Sequence, residues 1–137
     1  LEKIALEIFH LPTPASATKM KLINNLCLGS FMATLAECTA LAESCEIPKA
    51  KALEILGVGG GQSLVLKAKT QKLIDEDFSA HFSNNAINKD LHLLQDLAYN
   101  LKLPLYSACL PKELFSKMKM MGKGEEDFSS IYQLFKK

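Results

Sequence analysis

The chain has 137 residues, 48% of them hydrophobic and 23% charged: enough for one globular domain with a real core, and short for a complete cofactor-dependent enzyme. Its net charge is +1 and all 16 basic residues are lysines, so it has neither the field nor the arginine fork for phosphate or guanine that would draw nucleic acid or an anionic membrane.

Residues 1–11 open with helical spacing (Leu1, Ile4, Leu6, Ile8) and reach a break at Leu11-Pro12-Thr13-Pro14. Residues 1–12 therefore read as the tail of a preceding domain or a linker, and residues 13–137 as one helical domain. Thr13 offers a cap and Pro14 suits a first helical position, so a long helix starts there. Over residues 20–43 apolar side chains lie nearly all round the cylinder, the pattern of a helix covered on several sides. Asn24, Asn25 and Glu37 are expensive in lipid, so a core helix is expected here and no membrane span.

Pro48 starts a second helix over residues 49–56 that stops at Gly57. The glycine-rich loop that follows, Val58-Gly59-Gly60-Gly61-Gln62-Ser63, fails both phosphate-cradling patterns. A dinucleotide fingerprint needs glycine where Gln62 stands, and a P-loop needs Gly-Lys-Ser/Thr. A third helix spans residues 63–75, and residues 77–82 are irregular and aromatic. Asn84 or Asn85 caps a fourth helix through Ile87, Leu91, Leu94, Ala98 and Leu101, ended by Pro104. Pro111 opens a fifth that closes at Gly122, and Asp127 caps a short last helix. No segment alternates with period two, so the fold class is all-α, about six helices packed around the long one.

The four cysteines, Cys27, Cys38, Cys45 and Cys109, have no CxxC spacing and read as reduced buried thiols of a cytoplasmic protein. His10, His81 and His92 pair with none of them, and no metal site is expected. Residues four apart share a helix face, so Lys21, Asn25 and Gly29 form a stripe of cation, amide and gap able to hold a small polar ligand. Most helical lysines are merely solvated, but one in a helix this apolar is expected to be buried, hence paired or poised for function. Lys89-Asp90 is a surface pair by default; beside Lys21 and Asn25 it completes a site, with Phe82 as an apolar wall.

The run HLPTPASATKMKLINN at residues 10–25 resembles the junction between the two domains of the β-hydroxyacid (3-hydroxyisobutyrate) dehydrogenase family. Ala36-Glu37, Ala52-Leu53-Glu54-Ile55-Leu56, the segment 78–82 before Asn88-Lys89-Asp90-Leu91, and Gly122-Lys123-Gly124 before Asp127-Phe128-Ser129 agree in order and spacing. The resemblance implies a helical C-terminal substrate and dimerisation domain, like that of 6-phosphogluconate dehydrogenase, closing on an N-terminal Rossmann domain that binds NAD or NADP. It further implies a small 3-hydroxy acid or semialdehyde as substrate; a homodimer is expected on separate grounds, because the long helix is too apolar for its short neighbours to cover easily. By position Lys21 matches the family's catalytic lysine and Asn25 its substrate-contacting asparagine. Lys89 matches a cofactor-contacting lysine, and Phe82 and Asp90 match residues near the substrate. Pro12, Ala15 and Ala17 stand where the family places glycines. Without a Rossmann domain the chain is expected not to transfer hydride. The competing reading is a non-catalytic helical dimerisation module derived from the same family.

Overall fold

The computed structural model describes residues 7–136. The helical spacing read over residues 1–6 lies outside them, and residues 7–13 are not helical. Five α-helices follow, α1 (Pro14–Ser44), α2 (Lys49–Val58), α3 (Leu64–Asp75), α4 (Asn84–Asn100) and α5 (Tyr106–Met120), and then a 3-10 helix, Phe128–Leu134. Among the described residues there is no strand, only one antiparallel bridge between Ser83 and Asp127. The all-α expectation holds.

Local chemistry sets most helix starts. The Thr13 side chain accepts from the Ser16 N–H, with Pro14 in the first turn, and Ser63 caps α3 by accepting from Leu66 N at 3.0 Å. Four details differ from the sequence reading. Ser83, not Asn84 or Asn85, caps α4, its Oγ accepting from Ala86 N at 3.2 Å. α2 continues through Gly57 to Val58, and the last element winds as 3-10 helix.

The fourth detail is Pro111, which lies inside α5 rather than at its start. Proline lacks the N–H that would bond to the carbonyl one turn earlier, here Ser107. The Ser30 hydroxyl of α1 donates to that carbonyl at 3.1 Å, so the helix continues through the proline.

α1 packs against every other helix. By length and hydropathy it is the one candidate membrane span among the described residues, yet Leu22, Met32, Ala33, Leu35, Ala36 and Ala40 are buried in the core. Leu91 and Leu94 of α4, Phe115 and Met118 of α5, and Ile131 and Tyr132 belong to the same core, as do Leu53 of α2 and Leu66 and Leu73 of α3. α1 is not covered all round: Met20, Ile23, Phe31 and Leu41 remain exposed. The thiols also depart from expectation, since all four are free but Cys27, Cys45 and Cys109 are exposed. Gly29 is no gap for a ligand. A Cβ there would meet Leu91 Cδ1 at 3.2 Å and Phe115 Cε2 at 3.6 Å, so the glycine lets α1 approach α4 and α5.

Candidate functional site

A cleft of about 670 Å³ opens between α1, α3 and the segments that precede α4 and the 3-10 helix. One face of α1 lines it with Lys21, Asn25 and Leu28, because residues spaced by three and four share a face. α3 contributes Leu64, Val65, Ala68 and Lys69 by the same spacing, and Phe82 and Phe128 close the far side. The last two rings stand edge to face, 5.8 Å between centroids. The volume lies in the ~300–1,000 Å³ range of small-ligand sites.

At the mouth, Asp90 of α4 gathers two α1 side chains. Its Oδ2 accepts from the Lys21 ammonium in a short contact and from Asn25 Nδ2 at 2.7 Å. The carboxylate side chain is 3% exposed and the lysine 54%. The sequence suggested a buried lysine; Lys21 is instead a half-exposed ammonium pinned by a buried anion. The helix leaves it open because α1 keeps an uncovered stripe. With the amide N–H on Asp90, Asn25 Oδ1 is free to accept from a ligand, since the reverse orientation would set oxygen against carboxylate.

Phe82 falls on the cleft wall as expected. Asp90 does not line the cleft; it lies behind Lys21 and Asn25 and acts through them. Lys89, next in sequence, is exposed and also outside the lining, because consecutive helical residues point about 100° apart.

A second ion pair escaped the sequence reading. Lys69 of α3 donates to Asp127 Oδ2 at 2.9 Å, with side chains 7% and 0% exposed. Asp127 Oδ2 also accepts from His81 N at 3.0 Å and Phe82 N at 3.3 Å, and Oδ1 from Ser129 N and Oγ at 3.1 and 2.7 Å. Burial pushes this carboxyl up, but Lys69, Ser129 and the His81 N–H together hold it below its ordinary value. Asp127 thereby fixes the backbone that carries Phe82 into the cleft. A sequence signal existed: Leu66, Lys69 and Leu73 share one helical face, which puts a lysine in an apolar stripe.

Nothing among the described residues supplies the strand, glycine turn and helix that hold a dinucleotide pyrophosphate. The cleft instead sets apolar side chains, Leu28, Phe31 and Leu64 among them, beside the polar groups of Lys21 and Asn25.

Known proteins resemble this chain over most of its length. The 2-(hydroxymethyl)glutarate dehydrogenase of Eubacterium barkeri is 31% identical over 136 residues, 98% of this chain and 45% of that protein. The human cytokine-like nuclear factor N-PAC is 32% identical over 127 residues, 93% of this chain and 23% of that protein. The crystal structure of 3-hydroxyisobutyrate dehydrogenase from Salmonella typhimurium superposes with a TM-score of 0.80 at 29% identity, covering 84% of this chain and 40% of the other. The chain thus spans less than half the length of these relatives. The family whose profile matches residues 15–135 is described as the NAD-binding domain of NADP-dependent 3-hydroxyisobutyrate dehydrogenase, and the chain belongs to it.

Proposed function

We propose that this chain is the substrate-side, helical part of an NAD(P)-dependent oxidoreductase that interconverts a small 3-hydroxy acid and its semialdehyde. The observation that carries the reading is the single Asp90 oxygen holding Lys21 and Asn25 at the mouth of an apolar-walled cleft. The nicotinamide, when bound, supplies or accepts the hydride. Lys21 gives its proton to the substrate oxygen as the carbonyl is reduced, and takes it back in oxidation. Asn25 Oδ1 accepts from a substrate hydroxyl, and Phe31, Phe82 and Phe128 keep water from the reacting carbon. Lys89, exposed beside Asp90, is assigned to the cofactor on the facing Rossmann domain. The Eubacterium relative is named for a substituted glutarate, so the acid here belongs to the same broad class.

A homodimer is part of this proposal. Met20, Ile23 and Leu41 of α1 are exposed apolar side chains that a second copy would cover. A stable monomer at micromolar concentration in sedimentation would remove it. A cytoplasmic setting suits four free thiols, three of them exposed.

The test is to fuse the chain behind the nucleotide-binding domain of a family member and assay NADH and NADPH against short semialdehydes. The fusion turns over, the chain alone does not, and Lys21→Ala lowers kcat by roughly 10²–10⁴-fold. Undiminished turnover in Lys21→Ala removes Lys21 from the mechanism. An inert fusion favours the non-catalytic dimerisation module, a reading supported by Pro12, Ala15 and Ala17 in place of the family's glycines.

A further inference from the structure

The cleft holds a second ammonium to which the hydride-transfer reading gives no task. Lys69 lines the wall built by α3, and its side chain is 7% exposed. Its Nζ donates to Asp127 Oδ2 at 2.9 Å and stands 5.0 Å from the centroid of the Phe128 ring. An ammonium has three N–H donors. One is taken by the carboxylate and the ring face screens one side; among the described residues no other acceptor bonds to it.

Stability does not account for this arrangement. Asp127 already accepts four other bonds, from His81 N, Phe82 N, Ser129 N and Ser129 Oγ, and keeps them without the lysine. A buried ion pair is seldom worth more than apolar side chains of the same volume. The charges are also arranged asymmetrically. Lys21 and Lys69 line the cleft, but their partners Asp90 and Asp127 lie behind it, with side chains 3% and 0% exposed. No carboxylate is on the lining itself. A ligand therefore meets two ammonium groups among amides, one hydroxyl and apolar side chains. There a charge-assisted hydrogen bond is strong, because little water competes for it.

We propose that Lys69 is the anchor for a carboxylate of the substrate, received by its spare N–H while the reacting oxygen lies at Lys21. The substrate class is an acid that carries its carboxylate into the cleft, and neutral hydroxy-aldehydes are poor substrates. The naming of a reacting oxygen rests on the dehydrogenase reading; the anchoring of an anion does not.

The test uses the 137-residue chain labelled with ¹³Cε-lysine, titrated with malonate and with neutral malonamide. Malonate moves the Lys69 resonance and saturates it, and malonamide does not. Lys69→Met weakens malonate at least about tenfold, and Lys69→Arg, which keeps the charge and the donors, restores it to within about threefold. Malonate that leaves the Lys69 resonance in place, or that binds Lys69→Met as tightly as the unsubstituted chain, overturns the proposal. The first of these results is read on the unsubstituted chain, so it stands even if Lys69→Met does not fold. The two readings fail separately. Lys69-dependent malonate binding with an inert fusion leaves the anchor and removes the dehydrogenase, and an active fusion with no effect at Lys69 does the reverse.

Discussion

Asn25 and Asp90 meet across the packing of α1 on α4, the amide Nδ2 donating to the carboxylate Oδ2 at 2.7 Å. The same oxygen receives the Lys21 ammonium, so one buried atom sets the position of two side chains one helical turn apart. A carboxylate 3% exposed needs such donors, and the donors need it.

Asp90→Ala strands the buried Asn25 N–H, a loss of about 1–3 kcal/mol. Urea unfolding measures it. Asn25→Ala is expected to cost less in the Asp90→Ala background than alone, and strict additivity in that cycle would mean the two are not coupled.

Gly29 is a packing position. A Cβ at 3.2 Å from Leu91 Cδ1 already requires that side chain to give, and a branched side chain drives into Phe115 as well. Gly29→Val is expected to destabilise by about 1–3 kcal/mol through overpacking. Equal or raised thermal stability would show that α4 and α5 move aside freely.

Ser30 replaces the hydrogen bond that Pro111 takes from α5. Ser30→Ala leaves the Ser107 carbonyl without that donor and costs about 0.5–1.5 kcal/mol. In a Pro111→Ala background the backbone N–H can serve the same carbonyl, so the serine should matter less. A double-mutant cycle with no coupling contradicts this account.

Acid sensitivity follows from Asp127. Its carboxyl is held below the ordinary value of 3.8 in the fold, so its stabilisation is full above that value and is lost as pH falls through the lower folded value. Asp77, held down to about 2 by the Ser79 N–H and hydroxyl, acts in the same direction. Asp127→Asn should flatten the dependence of the urea midpoint between about pH 5 and pH 2. An unchanged slope would assign acid unfolding to other carboxylates.

Local chemistry made much of the fold legible. Thr13 with Pro14 and the breaks near Gly57 and Pro104 are turn-scale signals, and they place helices without knowledge of the rest. Pro111 misled because the serine that compensates it is far away in sequence, on α1. Asp127 shows both sides of the limit. Its capping bond to Ser129 N is local and readable, whereas the apolar stripe around Lys69 marks a buried lysine but does not name a partner 58 residues later.

The sequence by itself determined the all-helical class, the family landmarks and the sharing of one α1 face by Lys21 and Asn25, because helix periodicity and capping act over a few residues. The tertiary structure decided which groups are buried and which charges meet. It exposed Lys21, set Asp90 beneath it, filled the space at Gly29 with Leu91 and Phe115, and turned Lys69 into the cleft. Each of those outcomes depends on how one helix packs against another, and desolvation and ion pairing take their values from that packing alone.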